Sequence, residues 1–248
     1  MRDSWLLSVE VSFQESKKHL EQFYSVVSTA SVEAGVSLFE ESETKFDRQN
    51  LFLMQKSSFM LMLYNVIEST IALVLVELNT LIAGKDNLYY DDLPEAIRKI
   101  WIQTQQEKVS NVGKKDWGEA LFTLLESSRK PLDFGNKFLK PEEVLSFLGG
   151  AGNIDFLKIK RLLEKYGLEI KEKLECNVGK LQEIKVIRNR LAHGNLTFAK
   201  GMADKTINEI EAYMLATINT LEYLIQKVKE FYIVLNQDLE TKICKRKE

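Results

Sequence analysis

Histidine and cysteine are nearly absent from this chain, and that scarcity removes whole classes of chemistry. Its 248 residues include two His, His19 and His193, and two Cys, Cys176 and Cys244. Neither thiol has a second cysteine or a histidine at ligand spacing. One histidine with scattered carboxylates makes a poor transition-metal site, so neither a catalytic metal nor another cofactor is expected. Two lone thiols fit a reducing compartment, and the expected location is the cytoplasm.

Proline and glycine are scarce as well, with 3 Pro and 12 Gly in the whole length. Sandwiches and barrels need many turns, so this chain should consist of long helices joined by few loops. No phosphate loop of the Walker type and no Gly-x-Ser-x-Gly elbow is present. Gly149-Gly150-Ala151-Gly152 precedes a helical pattern, as an anion nest would. No Lys-Ser/Thr pair follows it, and a flexible connector is the plainer reading.

An excess of positive charge is also missing, since 34 basic residues face 36 acidic ones for a net charge of −2. A protein that grips duplex DNA mainly through its phosphates is usually more basic, and no helix-turn-helix with a basic recognition helix is evident. A local cluster can still act on a nucleic acid within a neutral total. The start of the chain carries Glu10, Glu15 and Lys17 where a secretory signal would be apolar. The most apolar run, Phe59 to Val76, contains Asn65, Glu68 and Ser69. It reads as a buried core helix, with no membrane partner expected.

What is present is helical periodicity. Phe13, Leu20, Tyr24 and Val27 mark a first amphipathic helix, and the charged residues 40–48 lack that period and read as a loop. Residues 51–83 are apolar almost all round, as in the middle of a bundle. Asp91-Asp92-Leu93-Pro94 opens a helix reaching about Lys108, with acidic residues at its positive end. Shorter helices are expected at 116–128 and from Pro141 to Gly149. Asn153 or Asp155 caps another, with Phe156, Ile159, Leu162, Leu163 and Tyr166 apolar before Gly167. Two long helices, near 170–193 and 204–236, close the chain. The expectation is one all-α domain over residues 1–248, a bundle of long helices with a shorter-helix elaboration at 85–167 and a frayed tail at 240–248.

One segment carries groups suited to chemistry, Ile184-Lys185-Val186-Ile187-Arg188-Asn189-Arg190-Leu191-Ala192-His193-Gly194. On a helix, Ile184, Ile187 and Leu191 form a core-facing stripe, with Arg188 on its flank. His193 then points roughly 150° away from that stripe, on a wet or interfacial surface at the helix end marked by Gly194. Imidazole gains and loses a proton near neutral pH and can serve as base or acid. Arginine, always charged, can hold a phosphate through two parallel bonds and stabilise charge that develops on it. Asn189, four residues before His193, can orient the ring. On these residues alone two readings stay open: a phosphoryl-handling site, or a solvated helix end whose cations meet the helix dipole.

Arg188-Asn189-Arg190-Leu191-Ala192-His193 resembles the signature of the HEPN superfamily (higher eukaryotes and prokaryotes nucleotide-binding): an Arg, a polar residue directly after it, and a His four to six residues beyond the Arg. Leu61-Met62-Leu63-Tyr64-Asn65-Val66-Ile67-Glu68-Ser69 resembles the buried helix of the bacterial MAE-type HEPN-like branch. Gly152-Asn153-Ile154-Asp155, leading to Lys165-Tyr166-Gly167, is similar to a block preceding the Arg–His helix there. Together these span residues 61 to 198. The resemblance implies a HEPN-type helical bundle that pairs as a homodimer, so that two Arg–His segments line one cleft. It further implies metal-independent cleavage of an RNA substrate, often in toxins paired with an antitoxin protein or in phage defence. Arg188, His193 and Asn189 are then the catalytic candidates. Glu68, with Tyr64 and Asn65 on one helix face, would hold the Arg188 guanidinium, and Arg190 would support the charge of the cleft. On residue type alone, Glu68 can equally be a buried carboxylate satisfied by a nearby backbone group or Lys. Some HEPN toxins carry a modifiable Tyr two residues after the His; here that position is Asn195, which argues against control by that route. A non-catalytic HEPN interaction module is the alternative.

Overall fold

The structure, a computed structural model, describes residues 4–36, 43–109, 117–132, 139–149, 152–170 and 175–247. Among these there is no strand. In chain order the helices are α1 (Ser4–Val36), α2 (Glu43–Ala83), α3 (Glu95–Val109), α4 (Trp117–Ser128), α5 (Pro141–Phe147), α6 (Phe156–Glu164), α7 (Glu175–Ala192), the single turn α8 (Phe198–Gly201) and α9 (Ile207–Lys247). The fold is all-α, as the scarcity of turn residues requires.

The described residues separate into two compact units. The first comprises residues up to Ile71, Asn153–Phe156 and Glu172–Ile225; the second comprises Ala72–Gly152, Leu157–Lys171 and Gln226 onward. The elaboration expected at 85–167 thus falls in the second unit, apart from 153–156.

In the first unit α1 buries Val9, Phe13, Leu20 and Val27, one helical stripe at steps of four and seven. Phe23 of α1 stacks on Phe59 of α2, with ring centroids 5.8 Å apart. The α2 helix begins at Glu43, so residues 43–48 are helical rather than looped. Their charges hide the apolar period, yet Glu, Lys and Arg are good helix formers, and a first turn needs no buried stripe. The α2 stretch Arg48–Ala83 is long and apolar enough to cross a membrane by composition, its most apolar 18-residue window having a mean hydropathy of 2.0. Its most apolar window is 61% buried inside the protein, so packing accounts for that apolarity. The start of α9 is a capping box: Thr206 N–H donates to Glu209 Oε2 at 2.8 Å, and Glu209 N–H donates to Thr206 Oγ1 at 3.2 Å.

In the second unit, Ile159, Leu162, Leu163 and Tyr166 are buried together, and the Tyr166 hydroxyl donates to Asn79 Oδ1 at 2.6 Å. Gly167, at φ +90°, ends α6 with the paired bonds Gly167 N–H to Glu164 O and Leu168 N–H to Leu163 O, a left-handed cap. Asp92 does not open α3. It closes a 3₁₀ turn at Tyr90–Asp92, accepting from the Tyr89 N–H, while its other oxygen accepts from Arg246 at 2.7 Å. That pairing corrects the frayed tail: α9 stays helical through Lys247, because Arg246 finds a buried carboxylate and the Tyr89 ring, 4.3 Å away.

Candidate functional site

The Arg188–His193 segment forms the last turns of α7. Leu181, Ile184 and Leu191 are buried on this helix, whereas Ile187 is only half-buried. The core-facing line is therefore rotated from the 184–187–191 stripe toward Leu181. Position 188, four residues after Ile184 and three before Leu191, falls within it. Arg188 is thus turned inward, not set on the flank, and the reason is an aromatic receptor on α2. Its guanidinium carbon lies 4.5 Å from the centroid of the Tyr64 ring, a cation–π contact on a fully buried face.

Tyr64 is itself held firmly. Its hydroxyl oxygen accepts the Ile154 N–H at 3.1 Å, and the charge of Glu68, one turn along α2, favours the protonated phenol. Burial is the main cause that pushes this phenol up from its ordinary value. The Ile154 bond opposes that, Glu68 adds to it, and the Arg188 charge acts downward. Glu68 is therefore tied to the arginine's aromatic support, while Asn65, expected on the same face, is exposed. One residue is about 100° of helix rotation, enough to turn Asn65 to solvent beside a buried Tyr64.

The side-chain oxygen of Asn189 accepts an N–H of Arg188 at 3.1 Å. Asn189 thus serves the arginine; its link to His193 is the backbone bond from the His193 N–H to the Asn189 carbonyl, 3.0 Å. His193 stands just beyond the last helical residue and is exposed, as its phase predicts, and Arg190 is exposed too. Gly194 follows at φ +69° and donates to the Leu191 carbonyl at 3.2 Å. A residue without Cβ takes that left-handed conformation freely, so the helix stops with the imidazole at its rim.

Two functional neighbours were not singled out by sequence reasoning as side-chain partners. Asp155, immediately before α6, pairs with Lys185 of α7, one turn before Arg188. With Ile154 bound to Tyr64, the short 153–156 segment clasps both α2 and α7 beside the arginine. The block was legible as a resemblance, but no signal in the sequence pairs Asp155 with Lys185 across thirty residues.

The family model for HEPN_MAE_28990-like HEPN matches residues 8–235. The chain belongs to the HEPN family. No curated protein and no solved structure matches it. The match covers Arg188, Asn189 and His193. They divide into an inward, supported arginine and an outward histidine. Among the described residues, no three His, Cys, Asp or Glu side chains gather as a metal-binding group.

Proposed function

We propose that this HEPN protein is a metal-independent endoribonuclease acting in the cytoplasm. The observation that carries the reading is the arrangement just described: an arginine held over the Tyr64 ring and bonded to Asn189, with an exposed imidazole five residues on at a helix end. A module that merely recruits a partner has no need of a preset guanidinium followed by an exposed histidine in the same segment.

In the proposed reaction the substrate 2′-oxygen attacks the adjacent phosphorus, and the bond from phosphorus to the 5′-oxygen breaks. The proton of the 2′-hydroxyl passes to one imidazole, and the leaving 5′-oxygen takes a proton from another. Arg188 neutralises the charge that grows on the phosphoryl oxygens. One chain offers one His193, so the second imidazole comes from a second copy in a two-fold dimer. Val186, Asn189, Arg190 and His193 share the outer side of α7 at steps of three, four and seven, which supports that face as the meeting surface. A ribonuclease of this kind would harm its host, so the proposal includes a role as toxin or phage-defence effector held in check by a cognate inhibitory protein.

The test is incubation of the purified protein with transfer RNA and total RNA in EDTA, beside His193→Ala and Arg188→Lys. We expect 2′,3′-cyclic phosphate and 5′-hydroxyl ends, and a loss of roughly 10²–10⁴ in rate for His193→Ala. Arg188→Lys keeps the charge but loses the planar fork, and should also be impaired. Cleavage that requires added Mg²⁺, acts on DNA, or survives His193→Ala would return the protein to the interaction-module class.

A further inference from the structure

Resting on the ribonuclease reading, we propose that Tyr64 is a positioning residue that sets the plane of the Arg188 guanidinium before any RNA arrives. The geometry is that of a clamp. Tyr64 is fully buried, and its ring face lies under the guanidinium carbon at 4.5 Å. A ring held only by packing could still tilt. Here its hydroxyl is pinned by the Ile154 N–H at 3.1 Å, in a segment that Asp155 also ties to Lys185 of α7. Asn189 then takes one N–H of the same guanidinium at 3.1 Å, which restrains its rotation above the ring. A planar cation held over a ring and bonded at one edge has few orientations left for its remaining N–H groups.

That matters because a phosphorane accepts two parallel N–H bonds only from a guanidinium in the right plane. Donors that are already oriented need no reorganisation when charge develops, so their benefit appears in kcat more than in KM. Two groups outside the Arg–His signature then take part: the Tyr64 ring as the platform and the Ile154 amide as its brace.

The experiment is a double-mutant cycle on the intact protein, with single-turnover cleavage as one readout and arginine side-chain NMR as the other. Tyr64→Met fills similar space without an aromatic face, and Tyr64→Phe keeps the face but frees the hydroxyl's anchors. A desolvated cation–π contact is worth a factor of roughly 3 to 30. We expect Tyr64→Met to lower kcat by about that factor with KM little changed, and Tyr64→Phe to recover most of the loss. In an Arg188→Ala background the Tyr64→Met loss should vanish, because the platform then has nothing to hold. Equal losses in both backgrounds would make Tyr64 a merely structural residue and overturn the proposal.

The Nε–Hε signal of Arg188, assigned by its disappearance in Arg188→Lys, should sit upfield through the ring current in wild type and Tyr64→Phe. It should move downfield in Tyr64→Met, and an unmoved signal overturns the platform. If wild type cleaves no RNA, the ribonuclease reading fails, and the NMR arm alone decides whether the clamp exists. Should Tyr64→Met not fold, Tyr64→Leu removes the ring with another apolar side chain. Its rate loss should likewise depend on Arg188, and a loss independent of Arg188 overturns the proposal.

Discussion

Asp155 and Lys185 form an ion pair almost withdrawn from water, their side chains only 13% and 14% exposed, and it joins the residue before α6 to the turn of α7 that precedes Arg188. Removing one partner strands the other charge where water reaches it poorly, and such breaks cost about 3 kcal/mol. Asp155→Ala should therefore lower the urea midpoint strongly. Replacing both with apolar residues of similar size, Asp155→Leu with Lys185→Met, should recover at least half of the loss. A double variant as unstable as the single one would show that the pair is not what holds this corner together.

Assembly gives the second prediction. Val186 is 42% exposed on the outer side of α7, in line with Asn189, Arg190 and His193. If two copies meet there, Val186→Glu places like charges against each other across the two-fold axis and empties the contact. We expect light scattering to report a monomer, with the helical circular dichroism unchanged and RNA cleavage lost. An unaltered dimer in Val186→Glu would move the interface elsewhere.

The end of α7 should be sensitive to a single methyl group. Gly194 sits at φ +69° with nothing within 4 Å of an added Cβ, so Gly194→Ala meets only the backbone cost of the left-handed conformation. That cost is about 1 kcal/mol. Gly194→Asn should cost less, since Asn tolerates this region. Comparing the two in thermal unfolding checks the cap, and an equal loss for both would point to something other than backbone conformation.

Alkaline stability gives a fourth outcome. Tyr232 is pushed up to about 12, first by burial and then by the Glu77 and Glu240 charges. The phenol binds its proton more tightly in the folded chain than in the unfolded one. Its contribution is therefore complete below the ordinary value near pH 10 and is lost as pH rises through about 12. The urea midpoint of wild type should fall faster between pH 10 and 12 than that of Tyr232→Phe, in which the other titrating groups are shared. Parallel curves would reject the shift.

The sequence by itself determined the helical class, most helix ends and the outward placement of His193. Those are local properties: apolar period, Pro141 in a first turn, Thr206 with Glu209, and Gly167 and Gly194 in left-handed caps. It also displayed the Arg188–His193 segment, because its residues are contiguous in the chain. Only the tertiary structure decided that Arg188 turns inward. Ile187 and Leu181 are both apolar, so periodicity alone leaves open which of them extends the buried line, and the Tyr64 ring settles it. The same holds for Ile154 on Tyr64, ninety residues apart, and for Arg246 on Asp92, 154 apart, which keeps the end of α9 from fraying. A helix's own pattern says which side is dry; which partner's atoms wait on that side depends on how separate helices pack, and no local period encodes it.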